Sequence, residues 1–426
     1  MKKLTSVLIG AGNRGCIYAD YSLIAPEELE IIAIIEPNDL RRNDAGKKYN
    51  VPENRRYINL EDFINDKIQC DFVINATMDS LHYHTAKLLL NNGYNMLLEK
   101  PIVSNEDELK ELQKITREKN LKVIVCHVLR YSPFYKKIKE IINSGVIGEI
   151  LTMELNEHVG IAHFVDSFVR GKWGREEECG SGFLLQKSCH DMDLICWLNN
   201  KTKPDYVSSF GSRSLFVKEN KPKDATEYCF KCPYEQTCLY SAQKIHVEFD
   251  SMPFQTWEDM NKPLNEITKE EKIEWLKTHP YGRCVYDNGG DINDRQTVIV
   301  QFENGSTATF TMVGGVSRAQ RYLHICGSKG EIEGKLDSNK FVLRIFDRSE
   351  KNFDYTETEF NLENIVENNK YDGHGGGDYA IMYELCRYLN GNDCSVSITK
   401  LDDSVNSHLV VYAAEKSNKE KIAVKI

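Results

Sequence analysis

No apolar run in this sequence reaches the roughly 20 residues that a bilayer-spanning helix needs, so no membrane partner is expected. Positive charge is in deficit. Lys and Arg number 54 against 64 Asp and Glu, a formal net charge of −10. That balance argues against nucleic acid or an anionic membrane as a partner. No leader-like stretch precedes the first strand-like segment, since Met1-Lys2-Lys3 runs straight into it. An export signal is therefore not expected, and a cytoplasmic location is. Cysteine, by contrast, is plentiful, with 13 in the chain. Without an export signal these thiols are expected reduced, and packed or metal-bound rather than paired. A chain of 426 residues has room for two domains and a sizeable core.

The opening carries the sharpest motif. The run Ser6–Ile9 empties into Gly10-x-Gly12-x-x-Gly15, with Asn13 and Arg14 between the last two glycines. Gly10 allows the tight turn off a strand. Gly12 lets a pyrophosphate approach the backbone, and Gly15 lets the next helix pack on the sheet. The free N–H groups of that helix face phosphate. Glu36 closes the second apolar run about 20 residues on, where an acid binds a ribose diol. NAD is the expected cofactor, because the acid would repel the extra phosphate of NADP; Arg41 and Arg42 nearby weaken that preference.

Up to residue 126 apolar runs alternate with polar, helix-like stretches such as Glu106–Lys119. The runs are Val7–Ile9, Ile31–Ile35, Phe72–Ala76, Met96–Leu98 and Val123–Cys126. That alternation predicts an α/β Rossmann domain over 1–126, with ligands at the C-terminal strand ends. Two strand ends stand out. One carries Thr77 and, farther on, His82. The other carries Glu99-Lys100-Pro101, whose proline restrains the lysine to extended backbone and would aim its ammonium at the crevice.

These pieces resemble the Gfo/Idh/MocA oxidoreductases. The resemblance rests on G-A-G-N-R-G at 10–15, the A-T-x-x-x-x-H stretch ending in His82 and E-K-P at 99–101. R-Y-x-P at 130–133, I-G-E-I at 147–150 and H-D-M-D at 190–193 extend it over nearly the whole chain. It implies a C-terminal α/β domain over 127–426, with a large open, mostly antiparallel sheet. Through that sheet it implies a homodimer or homotetramer. It places Gly10, Gly12, Asn13, Arg14, Gly15, Glu36, Thr77, His82, Glu99, Lys100 and Pro101 around the cofactor. A helix histidine at the position of His190 is implied to work beside Lys100.

In the second part, Glu149–Glu157, Thr297–Phe302, Ser306–Met312 and Phe341–Phe346 read as strands, with a turn at Asn304-Gly305. Thr307, Thr309 and Thr311 alternate with Ala308, Phe310 and Met312, a period of two that suits a sheet with one polar face. Phe183–Leu198 reads as one helix carrying His190. Arg130, His158, His163, Trp173, Gln186 and His374 are the candidate substrate contacts, although His158, His163 and Trp173 also suit a polar surface loop. Gln186 stands where most members of the family carry Asp. Gln cannot take a proton, so Lys100, with its pKa lowered by burial or by the cofactor, becomes a candidate base, and His190 would bind or polarise the hydroxyl. The Gly373-His374-Gly375-Gly376-Gly377-Asp378 stretch reads as a glycine run with Asp378 as N-cap of the helix Tyr379–Leu389. It also resembles the branch that includes NAD-dependent glycosidases.

An insert at about 215–292 is polar and poor in strand pattern. It holds Cys229, Cys232 and Cys238, with Cys284 as a possible fourth thiolate, and a capping box at Thr268-x-x-Glu271. Structural zinc, an iron–sulfur cluster and plain packed thiols all fit this spacing. The expected function is interconversion of a secondary alcohol and a ketone on a sugar, sugar derivative or polyol. The alternatives are a redox-neutral NAD-dependent glycosidase and a non-catalytic sensor of NAD or sugar.

Overall fold

Strands buried on both faces have no polar side to show, and the apolar runs of the first part assemble accordingly. In the computed structural model, which describes residues 1–347, 349, 354–363 and 373–426, they form a parallel sheet. Its strands are β1 (Leu4–Ile9), β2 (Leu29–Ile35), β3 (Arg56–Tyr57), β4 (Phe72–Asn75), β5 (Met96–Leu98) and β6 (Val123–Val125). Their spatial order is β3-β2-β1-β4-β5-β6. The chain reverses its winding between β1 and β4, and such a switch point opens a crevice at the strand ends. The edge strand β3 is two residues long, too short to show a period.

The second sheet contains β7 (Ile150–Gly160), β8 (Pro204–Ser212), β9 (Arg295–Phe302), β10 (Thr307–Val316) and β11 (Gln320–Gly327). It continues with β12 (Gly330–Lys335), β13 (Lys340–Phe346), β14 (Tyr355–Asn361) and β15 (Val424–Lys425). The order is β14-β13-β12-β11-β7-β10-β9-β8-β15, and only β7 and β10 pair in parallel. Ala308, Phe310 and Met312 are buried in its core while the interleaved threonines line the other face, as the alternation predicts.

The two parts share a core. Ile381, Met382, Leu385 and Cys386, from the helix Gly377–Leu389, pack under the first sheet beside Leu8 and Ile74. Arg14 ties the same helix to the first sheet, donating to Glu99 and, across the junction, to Asp378. The insert between β8 and β9 has a small core of its own, Trp257, Ile267, Leu276 and Tyr281. The capping box at Thr268 and Glu271 is formed. The insert reaches back over the first domain, where Glu258 pairs with Arg41 and Asn261 accepts from Asn38 at 2.7 Å.

One expected helix is two. Phe183–Gln186 and Cys189–Leu198 are separated by Lys187 and Ser188. The whole of Cys189–Leu198 is buried, polar residues included, because it runs through the middle of the molecule and not along its surface.

Candidate active site at the domain junction

Gly10 has φ +81, and a Cβ there would lie 2.4 Å from the Ala76 carbonyl oxygen. A Cβ on Gly15 would lie 2.0 Å from the Gly10 oxygen, so helix and turn meet too closely for any side chain. A Cβ on Gly12 would meet nothing within 4 Å. It would project into open space above the N-terminus of the helix that begins at Asn13. Glu36 is 3% exposed and accepts from the Ala11 N–H at 2.8 Å and the Asn38 N–H at 2.9 Å. Turn, cradle and acid therefore lie together, and these residues fit a dinucleotide.

Lys100 follows β5 and is joined to Pro101 by a cis peptide bond. Its Nζ donates to the Gln186 backbone oxygen at 2.7 Å. The break after Gln186 makes this possible: a carbonyl at a helix end has no partner within the helix. Burial pulls the Lys100 pKa down, but Cys189, Glu99 and Asp79 outweigh it and leave it raised. The lowering expected from burial is offset within the chain itself, and the lowering expected from the cofactor's charge comes only with NAD bound. Lys100 is a fixed cation, able to hold an oxygen as negative charge develops on it.

His190 lies beside it. Burial, then Lys100, His374 and His127, push its pKa well below the ordinary value, so the ring is neutral. Its Nδ1 is buried and has no hydrogen-bond partner. A buried polar atom left unsatisfied is costly, which makes this nitrogen a candidate ligand contact, a feature that both ring nitrogens of the neighbouring His127 share. The His374 ring stands 5.6 Å from that of His190. His374 has φ +53, and its Nδ1 lies 3.2 Å from Asp378. Asp378 is not the N-cap, which is Gly376; its carboxylate is drawn aside by Arg14 and His374.

Around this pair stands a set of charges that the sequence reading did not single out. Lys187, at the helix break, lies 3.7 Å from Glu157. Burial lowers the Lys187 pKa, with Arg321 and Lys100 adding to the effect. Arg321 pairs with both Glu157 and Asp191. Burial pushes Asp191 up, with Glu157 adding to it, while Arg321 and Lys187 hold Glu157 low against burial. His163 belongs to the same group, lowered to about 3 by burial and by Lys187. Trp173 crosses the junction and donates from Nε1 to Asp79 at 3.3 Å. Lys187 follows Gln186 and Asp191 belongs to H-D-M-D, so both could have been suspected. Arg321 has no local signal, since only the pairing of β7 with β11 brings it to Glu157.

Other expected contacts are corrected. Arg130 is 2% exposed and forks onto Asp193 at 2.6 and 2.5 Å, so it braces the buried helix and does not meet a ligand. His82 is fully buried, with Nδ1 on the Pro101 oxygen and Nε2 on the Thr77 oxygen; it pins two strand-end loops together. Glu99 is consumed by Arg14, Tyr18 and the Lys100 N–H, and it supports the site from behind. Gln186 donates its amide N–H to Ser181 and Cys179, its side-chain oxygen is buried without a partner, and its backbone oxygen accepts from Lys100. His158 alternates with Glu157 along β7, so it faces the open side of the sheet, beside Gln320. Thr77 bonds the Asn75 side chain within its own loop.

Residues 4–127 match the family model described as oxidoreductase family, NAD-binding Rossmann fold, and residues 139–426 match its C-terminal alpha/beta domain. The chain belongs to the Gfo/Idh/MocA oxidoreductase family. Among curated proteins, the chain is similar to the putative oxidoreductase YteT of Bacillus subtilis, 25% identical over 328 residues, covering 74% of this chain and 72% of that protein. Oxidoreductase P35 of Formosa agariphila is 29% identical over 191 residues, covering 44% of this chain and 58% of that one. Among solved structures, levoglucosan dehydrogenase in complex with NADH and levoglucosan shares the fold. Its TM-score is 0.70 at 16% identity, with 100% of this chain and 99% of that one covered. An Agrobacterium radiobacter oxidoreductase in complex with NAD+, L-tartaric acid and magnesium gives 0.69 at 14% identity, with 99% and 98% covered. As a member of the Gfo/Idh/MocA family, the chain is an NAD-binding oxidoreductase. No described helix is long and apolar enough to cross a membrane.

Glu36 lies under the expected ribose, and its outer oxygen also meets Arg41 at 3.3 Å. Glu36→Ala is expected to weaken NAD about tenfold, roughly 1.4 kcal/mol, and to release Arg41 toward a 2′-phosphate. Titration with NAD and NADP checks this. Unchanged affinities for both would take the acid off the ribose.

Proposed function

We propose that the protein interconverts a secondary alcohol and a ketone on a sugar, sugar derivative or polyol held between the two domains. The observation that carries this reading is the pairing of a fixed cation, Lys100, with a neutral, unpartnered His190 where the strand ends meet the buried helix. NAD, when bound, supplies the hydride acceptor for such a reaction. Lys100 holds the reacting oxygen, and His190 accepts the hydroxyl proton at Nδ1. Trp173, His163 and His374 offer a stacking face and hydrogen bonds to a polyhydroxylated ring. The sugar class is supported by this lining and by the printed ligand of levoglucosan dehydrogenase, which is a relative in fold only.

A second reading has its own observation. Lys187, Glu157 and Asp191 provide acid–base groups that a simple dehydrogenase does not need. A redox-neutral glycosidase does need them. After transient oxidation of a ring hydroxyl, one base removes the acidified C–H proton and one acid protonates the leaving oxygen. A Lys187→Gln variant separates the readings. For a glycosidase, aglycone release falls about 100-fold while single-turnover NADH formation persists. For a dehydrogenase, no such split occurs.

The deciding assay offers free sugars, sugar acids, polyols and aryl glycosides with two readouts. NADH accumulating with added NAD means dehydrogenase. Aglycone release without net NADH means glycosidase. Silence in both would overturn catalysis and favour a sensor. A cytoplasmic location belongs to this reading. So does self-association into a homodimer or homotetramer through the polar face of the second sheet.

A further inference from the structure

Cys229, Cys232, Cys238 and Cys284 line one cavity of about 30 Å³ in the insert. That space can hold an ion. The fold assembles the set from three places. The Cys232 N–H donates to the Cys229 oxygen at 2.9 Å, closing the turn between the first two. The Cys238 N–H donates to the Tyr234 oxygen at 2.8 Å. Cys284 arrives from far along the chain through an antiparallel bridge, Tyr228 with Arg283, and its own N–H donates to the Glu227 oxygen at 2.8 Å.

Hydrogen-bond donors face the sulfurs. The Tyr240 N–H is aimed at the Cys238 sulfur at 3.4 Å, and the Tyr286 N–H serves Cys284 in the same way, two residues on in each case. Arg170 Nη2 lies 3.4 Å from the Cys229 sulfur. Arg170 is 4% exposed, and its Nη1 has no partner. Among the described residues it pairs with no carboxylate. A buried guanidinium needs an anion, and four thiolates around a divalent ion supply one.

We propose that these four cysteines bind one structural zinc ion. Four thiolates suit Zn2+, and since no three of the four sulfurs lie within 4.8 Å of one another, they would draw together on the ion. Arg170 also donates to the Tyr240 and Arg283 oxygens, at 2.7 and 2.8 Å. The centre therefore fastens the insert to the 161–174 segment that carries His163 and Trp173. His324, Cys326 and Glu331 form a tighter trio, with ligand atoms within 4.8 Å of one another. There Glu331 is already paired with Arg344, so no ion is needed.

The test is metal analysis of the full chain, expressed with added zinc and purified without chelator. About one zinc per chain is expected, falling below about 0.2 in Cys232→Ser and Cys284→Ser. Should the variants fail to fold, replacement by cobalt in the wild type decides, with the visible bands of a tetrahedral thiolate site expected. Wild-type protein without zinc, iron with labile sulfide in its place, or full zinc retained by Cys284→Ser would each overturn the proposal.

Discussion

Lys100→Met is expected to lower turnover about 1000-fold while NAD affinity stays within about threefold. The reason is geometric. The ammonium is held on the Gln186 oxygen at the cleft, and it remains charged because Glu99 and Asp79 offset its burial. It can therefore stabilise charge that appears on oxygen only as the hydroxyl loses its proton. An interaction realised in the transition state is lost from kcat, not from ground-state binding. Single-turnover NADH formation, with NAD binding followed by fluorescence, checks both halves. A large loss of NAD affinity with intact turnover of bound cofactor would make Lys100 part of the cradle and leave the chemistry to other groups.

Arg130→Met is expected to do the opposite, destabilising the fold by about 3–5 kcal/mol while the folded remainder keeps its KM. The guanidinium and Asp193 are both at most 2% exposed and form a two-pronged pair. Removing the cation leaves a carboxylate in the interior without a counter-charge. The double variant Arg130→Met/Asp193→Leu should regain most of the loss, since a buried pair replaced by apolar groups is often close to neutral. Thermal unfolding and substrate kinetics of the two variants decide. A raised KM with an unchanged melting temperature would return Arg130 to the substrate.

Parts of the site were legible because they are local. A glycine turn, an acid about 20 residues on, and a lysine before a proline each declare their geometry within a few positions. The position of His190 came from the Gfo/Idh/MocA pattern, and the structure brings it to Lys100. Gln186 drew attention for its side chain, and its backbone serves the site as well, accepting from Lys100. A helix was expected to run through it, and the break that frees its carbonyl leaves no mark in the apolar spacing. His158 misled because it stands with His163 near the end of a strand. In a strand, neighbours point to opposite faces.

The sequence by itself determined the parallel first sheet, the cofactor cradle and the polar-faced second sheet. Each follows from a period or a turn that only a few residues dictate. Tertiary structure alone decided the rest. It set Arg321 against Glu157 and Asp191, gathered Cys284 to Cys229, and laid the helix Gly377–Leu389 under a sheet built from the other end of the chain. It also decided which ionisable groups carry charge. Burial and neighbours move a pKa, and neighbours distant in sequence are chosen only when the chain has closed on itself.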